Sequence, residues 1–239
     1  MKRTSIILLA LSLLLTVLTT SCIVYHPHNV DIPLLHEKGE MELDASLSLS
    51  MPLLGAPAAN ATFSYAPFNS VGLQAAVSLS DINSFYAQAA GGGFLPMGKT
   101  VIEGYVGYGY GTSVHNINSN LKDETIRVDG HYNLVFGQVN LGWVNLVDST
   151  LDVGFGFKGG KLYTDFEKIR LFEDGETSLM DNLNSIHFLA QPQFMVRAGW
   201  QHIKFSLNIA YAFLTNWPES NNYFNYDRFS VGVGMHFDF

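Results

Sequence analysis

A single cysteine, Cys22, stands among the 239 residues, so no disulfide can form within the chain. Charge is scarce as well: 14% of residues are Asp, Glu, Lys or Arg, against about 25% in an ordinary soluble domain. Positive charge is the scarcer sign, with 13 Lys and Arg against 21 Asp and Glu and a net charge of −8. Nucleic acid is therefore not an expected partner, because phosphate binding calls for a basic face. Long apolar runs are missing too. The most extended one, Ile6 to Leu18, is shorter than the roughly 20 residues a helix needs to cross a bilayer.

What the chain does have is apolar and aromatic residues in alternation. Hydrophobic residues make up 47%, with 3 Trp, 11 Tyr, 17 Phe and 22 Gly, a composition that suits strands around a narrow interior. The pattern is sharpest in the last stretch, 227–239. There Phe229, Val231, Val233, Met235, Phe237 and Phe239 share one side, and Arg228, Ser230, Gly232, Gly234, His236 and Asp238 share the other. Period-two alternation of this kind is a strand with one apolar and one polar face. With Phe237 and Phe239 as its aromatic signal, the stretch resembles the closing strand of bacterial outer-membrane β-barrels.

At the amino terminus, Lys2 and Arg3, the apolar run and the small polar residues to Ser21 have the layout of a secretory signal. Removing the two basic residues takes Lys and Arg from 13 to 11 and the net charge from −8 to −10. Cys22 directly after Thr19-Thr20-Ser21 resembles a bacterial lipobox, although Thr19 stands where that family usually has leucine. The resemblance implies acylation of Cys22. Residues 22–38 contain two prolines and no sustained period, and read as a periplasmic tether. His26, His28 and His36 with Asp31 and Glu37 carry metal-binding chemistry, but the plainer reading is a polar linker, and no metal or other cofactor is expected.

From Gly39 the alternation begins abruptly, with Met41, Leu43, Ala45, Leu47 and Leu49 against Glu40, Glu42, Asp44, Ser46 and Ser48. Further strands are expected over 59–65, 71–79, 85–94, 101–111, 132–143, 151–157, 186–200 and 203–213, and then the closing strand. In the sixth, Tyr132, Leu134 and Phe136 have one parity and Val139, Leu141 and Trp143 the other, which predicts a β-bulge near Gly137. A second bulge is predicted at Gly159-Gly160. Long loops are expected at 113–124 and 167–185. About ten strands, with short and long connections alternating, predict an all-β, antiparallel up-and-down transmembrane barrel over 39–239, after a signal peptide at 1–21.

The resemblance implies a Gram-negative outer-membrane location with both termini periplasmic. The implied partners are outer-membrane lipid, the barrel-assembly machinery and an envelope protein meeting the extracellular loops. Among inward-facing residues, Glu103, Asp152, Arg197, Lys204, His236 and Asp238 form a candidate charge cluster. Glu103, Asp152, Arg197 and Lys204 are expected at one depth, pairing into a layer that blocks the lumen. Ser230, His236 and Asp238 suggest a catalytic triad only weakly, since Ser230 stands too far along its strand, and no catalytic residue is assigned. The function expected is a structural, interaction or accessory role in the envelope. Passive transport of a small solute is the alternative, and a lipid- or peptide-modifying enzyme the third reading.

Overall fold

The computed structural model describes residue 25 and residues 27–51, 57–80, 84–119, 124–147, 150–171, 177–182, 184–215 and 226–239. The strands among them are β1 (Met41–Met51), β2 (Ala58–Phe68), β3 (Val71–Ser80), β4 (Phe85–Met97), β5 (Thr100–Ser119), β6 (Glu124–Trp143), β7 (Leu151–Leu171), β8 (Thr177–Asn182), β9 (Ser185–Gly199), β10 (Ile203–Tyr211), β11 (Phe213–Thr215) and β12 (Phe229–Asp238). Ten of them close a ring in the order β1-β2-β3-β4-β5-β6-β7-β9-β10-β12, every pairing antiparallel, with β12 returning to β1. β8 lies on the far part of β7, and β11 continues β10 against β9.

Closure is made by the alternating last strand. Leu43 stands opposite Phe237, Phe239 N donates to Met41 O at 2.9 Å, and Met41 N donates to Phe239 O at 3.3 Å. At this end of the barrel, the turn end, strands are joined by short connections, such as Gly98-Lys99 between β4 and β5. Gly98 has φ 65, a conformation that favours a residue without a Cβ.

Outward side chains form a continuous apolar wall. Leu47, Val106, Val139, Phe205 and Val233 are 62, 72, 59, 57 and 59% exposed. A band of this extent is untenable in water and requires hydrocarbon or another apolar cover. In hydrocarbon only a closed sheet satisfies every backbone group. Exposed Phe68, Trp200 and Phe239 mark the turn end, and Tyr108, Tyr110 and Tyr163 mark the opposite border. Beyond that border the outward residues turn polar, with Arg127 paired to Asp129 at 2.6 Å and His131 beside Asp165 at 3.8 Å.

Three sequence expectations are corrected. No register shift interrupts β6 at Gly137 or β7 at Gly159-Gly160; pairing runs continuously through Val106, Gly137 and Gly159. The two parities of β6 instead record a change of interior, because Tyr132, Leu134 and Phe136 point inward into an apolar layer while Val139 and Leu141 point outward. The expected loops 113–124 and 167–185 are largely strand. β5, β6 and β7 run far past the roughly 9–11 residues a crossing needs, and β8 pairs with the projecting part of β7. Both faces are partly polar there, so the alternation that identified the other strands fades. The third correction concerns residues 22–38. Over the described part they are no outside linker, because residues 27–35 run inside the ring.

Candidate functional site

The lumen holds the chain's own amino-terminal segment. Val30, Ile32, Leu34 and Leu35 are at most 2% exposed and pack with Phe94, Val101 and Met195 of the wall. Further in, Tyr25 meets Tyr132 edge-on at 5.0 Å, and Tyr132 stacks on Tyr86 at 5.8 Å and on Phe166 at 6.5 Å. Two apolar layers are thus stacked along the barrel axis, and both include residues of the threaded segment.

An extended strand without a neighbouring strand leaves its carbonyls unpaired, and burying them so costs about 1–3 kcal/mol each. Here six carbonyls in succession are met by wall side chains. Gln191 Nε2 donates to His28 O at 2.9 Å, and Lys158 Nζ to Asn29 O at 3.4 Å. Gln193 Nε2 donates to Val30 O at 2.7 Å while its Oε1 accepts from Val30 N at 2.8 Å. Asp31 O takes Gln138 Nε2 and Asn140 Nδ2, the latter at 3.1 Å. Arg197 ends the series with Nη2 on Ile32 O at 2.8 Å and Nη1 on Pro33 O at 3.0 Å. Side chains of the segment are fastened as well: Ser64 Oγ donates to Asp31 Oδ2 at 2.9 Å, and Ser230 Oγ to Asn29 Oδ1 at 3.3 Å. Leu34 adopts φ 67, and just beyond it Leu35 N donates to Glu103 Oε1 at 2.9 Å.

Glycines on the inner wall make the room. A Cβ on Gly156 would lie 2.8 Å from Val30 Cγ1, one on Gly154 would lie 2.9 Å from Ile32 Cγ2, and one on Gly142 would collide with Leu34. These glycines, with the inward amides Gln138, Asn140, Gln191 and Gln193, were missed as functional residues. The signal was present, since inward glycines facing inward amides describe a groove for a backbone.

The candidate charge cluster divides. Lys204 Nζ lies 2.7 Å from Asp152 Oδ2 and 3.5 Å from Asp238 Oδ2, and His236 Nε2 lies 2.5 Å from Asp238 Oδ1. Arg197 and Glu103 do not serve as each other's counter-charge. Arg197 faces Glu42 at 3.8 Å, and Glu103 accepts from Leu35 N, from Asn140 Nδ2 at 2.8 Å and from Tyr105 OH at 3.3 Å. Both are turned to the threaded backbone, whose presence the sequence reading had not placed there. Asp152, Arg197, Lys204, His236 and Asp238 border a cavity of about 600 Å³ at the turn end, lined also by His36 and Glu40.

Glu42, His236 and Asp238 bring one ligand atom each within 4.8 Å of one another, a donor set able to hold a metal. Arg197 and Lys204 already stand within 4.0 Å of two of these carboxylates, so a divalent cation would enter beside two positive charges; the cluster reads as ion-paired. His28 lies deep in the lumen against Tyr86 at 5.3 Å, far from His36 at the turn end, and the histidines of the segment do not gather. His26 lies outside the described residues. Ser230 pairs across to Ser50 while His236 pairs to Asp44, about 20 Å apart along the strand at its usual rise, and the three residues form no triad.

No protein-family model matches the chain, and no curated protein sequence does. Among solved structures it is similar to the outer membrane protease OmpT from Escherichia coli, at 9% identity over 84% of this chain and 94% of that one, with a TM-score of 0.50. It is also similar to the translocator domain of the autotransporter NalP from Neisseria meningitidis, at 11% identity over 85% and 90% with a TM-score of 0.45. A third is the N-terminal β-barrel domain of Pseudomonas aeruginosa OprF, at 11% identity over 85% and 100% with a TM-score of 0.38. At such identities the likeness to OmpT is one of fold: a closed antiparallel barrel of the outer-membrane type. Cys22 and the signal-like residues 1–21 lie outside the described residues.

Proposed function

We propose that this protein is an outer-membrane barrel closed by its own amino-terminal segment, serving the envelope as an anchored structural or interaction element. The observation that carries this reading is the run of six carbonyls, His28 to Pro33, each held by the wall. A lumen occupied by its own backbone works against the continuous water path that passive transport would need. Outer-membrane lipid is the partner of the apolar exterior, the barrel-assembly machinery the partner in insertion, and the projecting β5–β6 and β7–β8 hairpins the surface for an envelope protein.

Reconstitution of the full chain in a planar bilayer tests the closure. Almost no steady conductance is expected, and a large stable conductance in the wild type would promote the transport reading. The lipoprotein part is tested separately. Cys22→Ala should abolish metabolic labelling by radioactive palmitate while a heat-modifiable barrel still forms; unchanged labelling sinks the lipobox.

A further inference from the structure

We propose that the chain is threaded through its barrel from outside to inside, with Tyr25 toward the outer face of the membrane and Gly39 toward the periplasm. The proposal rests on the reading of the protein as an outer-membrane barrel and replaces the expectation that both termini are periplasmic.

The direction follows from the order of contacts. β1 starts at the turn end, where Gly39 N donates to Ala66 O at 2.7 Å and Met41 meets Phe239. Traced backwards from there, the wall partners recede steadily from that end. Leu35 is held by Glu103, Pro33 and Ile32 by Arg197, and Asp31 by Asn140 and Gln138. Val30 is then held by Gln193 and His28 by Gln191, each farther from the β9–β10 turn than the last. Tyr25 ends the series at Tyr132 and bridges to Tyr226 just before β12 begins. Asp227 N donates to Tyr25 O at 3.2 Å. From Leu35 to Tyr25 the chain reaches at most roughly 33 Å, and the left-handed Leu34 shortens that reach. Its contacts with Tyr132, Tyr226 and Asp227 put Tyr25 at the hairpin end of the lumen.

In barrels of this class short turns face the periplasm and the longer connections face outward. The short β2–β3, β4–β5 and β9–β10 connections are all at the end where residue 39 sits; the long β5–β6 and β7–β8 hairpins are at the end where Tyr25 sits.

The test is accessibility on intact cells. Val24→Cys is treated with a membrane-impermeant maleimide before and after the outer membrane is opened, with Val147→Cys in the β6–β7 connection as the inside control. Both variants carry Cys22→Ala as well, so that the introduced thiol is the single one in each chain. Full labelling of Val24→Cys on intact cells, with Val147→Cys labelled only after opening, is the expected result. Labelling of Val24→Cys only after opening overturns the proposal, as does labelling of Val147→Cys on intact cells. An epitope inserted between Ile23 and Val24, detected by antibody on whole cells, repeats the measurement without a thiol. Failure here with a silent bilayer record would reject the threading direction and leave the closed barrel standing.

Discussion

Deleting residues 27–35 is expected to turn a silent barrel into a conducting one. The segment fills the inner groove at Gly142, Gly154 and Gly156 with Leu34, Ile32 and Val30, and the wall's Met195 reaches the same space at Gly154. Removal also exposes Gln138, Asn140, Gln191, Gln193 and Arg197, whose donors then need water. A wetted, polar-lined lumen carries ions. Stepwise stable conductance in a planar bilayer is the measurement, and a synthetic peptide of residues 25–38 added to the deletion variant should reduce it. A deletion variant as silent as the wild type would transfer closure to the aromatic layer at Tyr86, Tyr132 and Phe166 and reject the strand as the plug.

The barrel was legible because its two faces differ. Leu43, Leu47 and Leu49 against Glu42, Ser46 and Ser48 announce a strand whose outer side needs an apolar cover, and Phe237 and Phe239 announce its closure. Tyr132, Leu134 and Phe136 were misleading for a related reason: an inner face is polar only where the interior is wet, and here the hairpin half of the lumen is an aromatic core. The threaded segment was hidden by its prolines. Val30, Ile32 and Leu34 alternate with Asp31 and Pro33, yet Pro33 has no N–H and argues against a strand within a sheet. In the lumen the objection vanishes, because the wall side chains take chiefly the carbonyls, and proline still offers one. Arg197 illustrates the consequence for the charge cluster. Read by itself it calls for a carboxylate; beside a buried backbone it has two carbonyls to satisfy as well.

Arg197→Ala is accordingly expected to destabilise the barrel more than any other single loss of charge in the lumen. The guanidinium holds Ile32 O and Pro33 O and faces Glu42 at 3.8 Å, and it is 3% exposed. Removing one member of a buried pair typically costs about 3–5 kcal/mol, and two carbonyls left without donors add to it. Arg197→Lys restores the charge without the planar fork, so it should recover the interaction with Glu42 but at most one of the carbonyl bonds, giving an intermediate loss. Lys38→Ala, on the exposed approach to β1, should change almost nothing. The temperature at which the folded band is lost on a gel orders the variants: wild type and Lys38→Ala highest, Arg197→Lys between, Arg197→Ala lowest. If Arg197→Ala unfolds with Lys38→Ala, the guanidinium is not what holds the strand at this depth. Should Arg197→Lys match the wild type, charge alone suffices there and the carbonyl fork is incidental. The ordering with Arg197→Lys in the middle is the outcome that assigns the residue to the backbone it grips.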